Sequence, residues 1–223
     1  MNNEFLLNMD LLKVACLRPD NHHWVKSPAD GVSRVHLERE AEESGHTTSF
    51  VKFAAGSFFP QHSHPQGEEL YVLEGVFSDE NGDYPAGTYI RNPPGSSHKP
   101  FTHDGCTLFV KLEQFASGDN KRVVIRPEDQ RWGAGIGNLQ VSSLHNYVTE
   151  STALVFWPKN EVFQPHAHFG GEEVLVLKGR FIDEHGEYPA GTWIRSPHMS
   201  KHFPRVEEET LILVKVGHLS AET

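Results

Sequence analysis

"HSHPQGEELYVLEG" runs from His62 to Gly75, and "HAHFGGEEVLVLKG" runs from His166 to Gly179. Each holds two histidines, a carboxylate and a closing glycine at one spacing, and the copies lie 104 positions apart. The offset persists beyond them, since "YPAGTYIRNP" (Tyr84 to Pro93) returns as "YPAGTWIRSP" (Tyr188 to Pro197). Between His62 and Pro100, 23 of 39 positions recur at that offset without insertion. Solenoid repeats run at roughly 20 to 50 residues, so a longer repeat predicts two similar domains in tandem. A chain of 223 residues has room for both, at about 100 residues each.

The apolar runs are short, alternating and rich in β-formers: "TSFVKF", "EELYVLEG", "TLFVKLEQF", "ALVFW" and "TLILVKV". Turn signals separate them, notably "DENGDYPAG" and its copy "DEHGEYPAG", with Asn81-Gly82 read as a hairpin turn. Many short strands with frequent Gly and Pro predict an all-β protein of two jelly-roll barrels. The expected division is an N-terminal arm over 1–20, a first domain over 21–117, a connection over 118–130 and a second domain over 131–223. The arm is expected to be a short helix or strap on the first domain. "RVVIR" within the connection reads as a strand of either barrel.

In a strand, side chains at i and i+2 share a face, so His62 and His64 project together, as do His166 and His168. A short glycine-containing turn leads to Glu68 and Glu172, where a hairpin can return the carboxylate to the imidazole pair. After a further turn, "NPPGSSH" and "SPHMSKH" offer His98 and His202 as third nitrogens. Three neutral imidazoles and a carboxylate suit a divalent first-row ion with coordination positions left open. The expected cofactor is therefore Zn, Fe, Mn or Ni, at about two ions per chain, held by His62, His64, Glu68 and His98 and by His166, His168, Glu172 and His202.

These stretches resemble the cupin superfamily. The first unit reads Gly56-x5-His62-x-His64-x3-Glu68-x6-Gly75, then Gly87-x5-Pro93-x-Gly95-x2-His98, which are both cupin motifs in order. The second unit departs at Asn160 and Met199, where the family has glycine, and Thr102 and Val206 replace its trailing asparagine. The resemblance implies a bicupin of two double-stranded β-helix barrels. Within the superfamily, the run from Gly67 to His98 is most similar to the ChrR-type cupin domain. Proteins of that type are zinc-dependent anti-sigma factors whose cupin domain is needed for the response to singlet oxygen. Their sigma-binding module finds no counterpart in the first twenty or so residues, so sigma-factor binding is not carried over.

The resemblance implies a regulatory or sensing role, in which the metal site meets an oxidant or small ligand. Non-heme dioxygenases that cleave β-diketones share the motifs and supply the alternative. A Lewis-acid isomerase and a structural zinc protein complete the set. A formal net charge of −10 without a basic run speaks against a nucleic-acid partner. No stretch reads as a signal peptide or membrane span, and two non-equivalent cysteines, Cys16 and Cys106, suggest a reducing compartment. The expected location is cytoplasmic, with no membrane partner; a homo-oligomer is left open. Glu69 and Glu173 are expected to face away from the ligands toward Arg or Lys. Arg91 and Arg195 either orient a carboxylate or cover the rim. Tyr89 and Trp193 are read as packing residues, and the histidines outside the motifs as surface or supporting groups, with His198 closest to a site. Met199 is expected to divert the turn that delivers His202, making the two sites unequal.

Overall fold

The computed structural model describes residues 5–42 and 44–219. Among them there is no α-helix, only two single turns of 3-10 helix at Pro19–Asn21 and Pro127–Asp129. No helix among the described residues is long and apolar enough to cross a membrane. The chain forms two compact units, and every strand pairing within them is antiparallel.

The first unit comprises His23–Asp129 with the described residues through Met9. Its main sheet runs Val123–Ile125, Tyr89–Asn92, Glu68–Asp79, Cys106–Leu112, Thr47–Phe53, Val32–Arg39 and Val25–Lys26. Gly82–Pro85 pairs the far half of Glu68–Asp79. The hairpin between them lies one residue earlier than its sequence signal, because Asp79 pairs with Gly82 and leaves Glu80 and Asn81 at the tip. A separate two-stranded ribbon joins His62–His64 to Ser96–His98.

The second unit repeats this plan from Asp10–His22 and the described residues from Gln130 onward. Its sheet order is Ala15–Leu17, Trp193–Ser196, Glu172–Lys178, Thr210–Val216, Glu150–Trp157, Gln140–Tyr147 and Trp132–Ala134. The expected boundaries are corrected here. Residues 10–22 are not an arm on the first domain. Ala15–Leu17 is a strand that pairs with Trp193–Arg195 of the second unit. Likewise Val123–Ile125, in the expected connection, pairs with Tyr89–Arg91 of the first. One edge of each sheet is formed by a segment that precedes the other unit's opening tryptophan in sequence, Trp24 or Trp132. Residues 1–4 and 220–223 of the expected arm and second domain lie outside the described residues.

Alternation explains the core. Leu70, Val72, Phe77, Ile90 and Leu108 bury their side chains in the first barrel. Val174, Val176, Phe181, Ile194 and Ile212 do so at the equivalent places in the second. Each such side chain contributes roughly 1.5–3 kcal/mol of hydrophobic stabilisation. The motif glycines close each site strand. Gly75 has a φ of +71°, and a Cβ there would sit 2.0 Å from the carbonyl oxygen of Gly105, which no side chain tolerates.

Candidate metal centre

In the first barrel, the ribbon sets His62 directly opposite His98, with His64 two residues along. The three ring centroids lie 4.7–5.0 Å apart. Glu68 opens the next strand, and its carboxylate reaches 3.5 Å from His64 Nε2 and 3.6 Å from His98 Nε2. The two Nε2 atoms are 3.1 Å apart. The structure therefore brings together all four residues expected from the sequence.

The second barrel repeats the arrangement with His166 opposite His202. His168 Nε2 and His202 Nε2 are 3.0 Å apart, and Glu172 lies 3.5 and 3.6 Å from them. In each triad, every histidine offers a ring nitrogen within 4.8 Å of the other two.

Hydrogen bonds on the far side of the rings fix which nitrogen faces inward. His62 Nδ1 donates to the carbonyl of Pro60 at 2.9 Å, and His166 Nδ1 to that of Gln164 at 3.0 Å. A carbonyl can only accept, so Nδ1 holds the proton and the Nε2 lone pair points into the site. His98 Nδ1 faces Asp79 and His202 Nδ1 faces Asp183, each at 3.6 Å. That is long for a hydrogen bond, so much of the pull is electrostatic. Ring nitrogens and a carboxylate thus converge, and neither a lysine nor an arginine stands among the four residues. Donors about 2.1 Å from one ion and about 90–109° apart would be roughly 3.0–3.4 Å from each other, close to the spacing found. The residues fit a divalent ion.

The protonation balance follows the surroundings. Burial lowers the pKa of His64. It also takes His168 down to about 3, with the charges of His166 and His202 acting the same way. For His98 and His202 burial also pulls downward, but the carboxylate of Asp79 or Asp183 facing Nδ1 and the nearby glutamate outweigh it, and both are raised. Burial pushes Glu172 up to about 7, with Asp183 adding to the rise and His202 opposing it. In the first barrel the Asn92 amide donates to Glu68 at 2.9 Å. Ser196 holds the matching position in the second, opposite Glu172.

Sequence reasoning missed Asp79, Asp183 and Asn92. The aspartates could have been found, because they recur at the common offset with their partners Tyr84 and Tyr188. Each tyrosine hydroxyl donates to its aspartate at 3.1 Å. Each thereby steadies a group that supports a site histidine.

Other expectations need correction. Met199 does not divert the turn: it adopts a φ of +60° where Gly95 has +83°. Its backbone N–H donates to His168 at 2.8 Å, as that of Gly95 does to His64 at 2.9 Å. Asn160 likewise keeps the left-handed conformation of Gly56. Phe169 and Met199 are exposed and add no bulk to the site. His198 accepts a hydrogen bond from the Gly170 backbone at 2.8 Å and packs edge-on against Phe169, so it braces the loop between the ligands. Glu69 and Arg91 do face away from the ligands, but they are buried, as are Glu173 and Arg195. Arg91 bridges Glu69 at 3.2 Å and Asp119 at 2.6 Å, while Tyr89 donates to Glu69 at 2.7 Å. Tyr89 and Trp193 are core residues.

The first centre lies against a cavity of about 440 Å³, walled by Val32, Val51, Phe53, Phe59 and Val110 among others. His36 lines this cavity, although the sequence placed it among surface or supporting histidines.

A family model described as "ChrR Cupin-like domain" matches residues 13–116 and again 120–220. Its two spans include the strands Ala15–Leu17 and Val123–Ile125, so the duplication begins ahead of both tryptophans. The DNA damage-repair/toleration protein DRT102 of Arabidopsis thaliana is 33% identical over 70 residues, which cover 29% of this chain and 23% of that protein. The match therefore spans about a quarter of that relative. A "putative dioxygenase" of Nostoc punctiforme superposes with a TM-score of 0.78 at 13% identity, covering 95% of this chain and 85% of the other. A bacterial pirin of Escherichia coli, in complex with nickel(II), gives 0.68 at 14% identity, covering 93% and 100%.

Proposed function

The chain belongs to the ChrR cupin-like family, in two tandem copies, and from that premise we propose a metal-dependent regulatory protein that responds to an oxidant or a small ligand. In this reading His62, His64, Glu68 and His98 hold one divalent ion, and His166, His168, Glu172 and His202 hold a second. One observation carries it: in each barrel three imidazoles offer ring nitrogens within 4.8 Å of one another, and two of them converge with the glutamate at 3.0–3.6 Å. When bound, the ion supplies a positive centre with open positions for a ligand's oxygen atoms. The chain supplies orientation. Pro60, Gln164, Asp79 and Asp183 fix the rings, and the burial of Glu68 and Glu172 keeps bulk water from the carboxylates.

A second reading, a non-heme dioxygenase acting on an enolisable compound such as a β-diketone, is favoured by the cavity beside the first centre. Metal analysis of anaerobically purified protein, followed by oxygen-uptake assays with β-diketones, separates the two. Zinc without uptake supports the regulatory reading. Iron with substrate-dependent uptake, lost in His62→Ala, replaces it with the oxygenase.

A further inference from the structure

The cavity of the first barrel has an open end and a closed one. Ser49, Val51 and Phe53 alternate onto it from the strand Thr47–Phe53, and Leu108, Val110 and Leu112 from Cys106–Leu112. At one end of these strands Leu112 pairs with Glu68, and at the other Cys106 pairs with Phe53. The step from Leu112 to Leu108 alone is roughly 13 Å of strand. Ser63 and Pro65, beside the ligand histidines, line the space and are exposed. Phe53, Phe77 and Leu108 line it too but belong to the hydrophobic core. The space therefore runs from an opening at the four ligands to an apolar floor.

The polar groups on the wall are committed to the protein. Arg39 donates to the carbonyls of Ala41 and Glu42 and stands 5.3 Å over the ring of Phe5. Arg34 stands 6.0 Å over the ring of Phe59, which packs edge-on against His62 at 4.9 Å. His36 Nδ1 lies 3.5 Å from the Ser49 hydroxyl. Burial, with the charges of Arg39 and Arg34 acting the same way, takes the pKa of His36 down to about 4, so its ring is neutral. Glu42 and Glu113 line the same space, and a second anion on a ligand would meet their carboxylates.

The second barrel fills the matching floor. Val141 opposite Val155 takes the place of Arg34 opposite Val51, which puts Leu139 where the first barrel has Val32 and Trp157 where it has Phe53. Trp157 touches the rings of both Phe163 and Phe181, at 5.9 and 5.6 Å. These are the counterparts of Phe59 and Phe77 at the common offset. Phe53 packs on Phe77 at 6.3 Å and, among the described residues, makes no ring contact with Phe59. The smaller ring leaves open what the indole closes.

We infer that the first barrel takes a ligand with one oxygen-donor head, held at the His62, His64, Glu68 and His98 centre, and an apolar tail that runs toward Phe53. Val51, Leu108 and Val110 cover the tail, and Phe53, in place of tryptophan, leaves the room for it. A cavity of about 440 Å³ is of the size that encloses most of a small ligand. This ligand class rests on the metal reading above and deepens it. Each methylene that leaves water for such a wall is worth about 0.8 kcal/mol, or about three- to fourfold in affinity.

The test uses the full-length, zinc-loaded chain carrying His166→Ala and His168→Ala, so that only the first centre is filled. Titration calorimetry compares 2-oxobutanoate, 2-oxohexanoate and 2-oxooctanoate, with 2-oxoadipate as a six-carbon diacid. The inference expects about a tenfold gain from 2-oxobutanoate to 2-oxohexanoate, and weaker binding of 2-oxoadipate than of 2-oxohexanoate. Phe53→Trp should cut the gain with length to about threefold or less, while Phe53→Leu keeps it. Zinc-loaded protein carrying His62→Ala and His64→Ala, with only the second centre filled, should show as little gain as Phe53→Trp. Affinity independent of chain length, a diacid that binds as tightly as its monoacid, or an equal gain at the second centre would overturn the inference. Zinc content is measured on the same samples. A chain without zinc at the first centre overturns the metal reading and the ligand class together, whereas a loaded chain indifferent to length overturns the ligand class alone.

Discussion

Met199 and Gly95 occupy the same left-handed turn, and the difference between them is energetic rather than geometric. A side chain in that region costs roughly 1–2 kcal/mol, and hydrogen bonds from the Met199 N–H to His168 and from the Ser200 N–H to Pro197 hold the turn there regardless. Gly95→Met should therefore lower the stability of the first barrel by about 1 kcal/mol while leaving its metal content intact. Chemical denaturation and metal analysis check this; a lost ion would mean that the turn tolerates no side chain. The sequence expectation failed here because it weighed side-chain preference against nothing, whereas the backbone bonds decide. The ligand histidines were legible for the opposite reason, since a two-residue period fixes the face of a strand whatever surrounds it.

Protonation also belongs to this scale. Only unprotonated donors bind the ion, and in the second barrel Glu172, at about 7, and the raised His202 are the groups that protonate first. Affinity at that centre should be level above about pH 8 and fall as the pH drops through about 7, with protons taken up on release. Zinc titrations of His62→Ala/His64→Ala protein across that range measure it. An affinity constant down to about pH 5 would show that these groups are not ligands.

At the scale of elements, the edges of the sheets carry the least predictable information. "RVVIR" reads as a strand from its composition, yet an edge strand's pattern does not name its neighbour. Hydrogen bonding assigns Val123–Ile125 to the first unit and Ala15–Leu17 to the second. The repeated arginines secure both segments. Arg91 pairs with Asp119 just ahead of the first of these strands and stands 3.9 Å over the ring of Phe115. Arg195 donates to the carbonyls of Asp10 and Lys13 ahead of the second. Arg91→Ala removes the cation that bridges two buried carboxylates, Glu69 and Asp119, and should destabilise the first unit by about 3 kcal/mol or more. Arg195→Ala removes the guanidinium that ties the Asp10 and Lys13 carbonyls to the sheet and should raise hydrogen exchange across Ala15–Leu17. Unchanged protection there would mean that the pairing with Trp193–Arg195 suffices alone.

For the whole molecule, duplication was the most legible feature, because one offset preserves core, turn and ligand positions together. The cavity wall was not legible. Arg39 reaches it only through a bulge, and a register shift of that kind leaves no mark in the alternation of apolar residues. The central claim is that each barrel is a separate centre for a divalent ion, and metal stoichiometry tests it most directly. Purified chain reconstituted with zinc should carry close to two ions, His62→Ala/His64→Ala protein close to one, and protein with His166→Ala/His168→Ala added close to none. Two ions retained after all four substitutions, or no uptake of Zn, Fe, Mn or Ni by the unaltered chain, would contradict it.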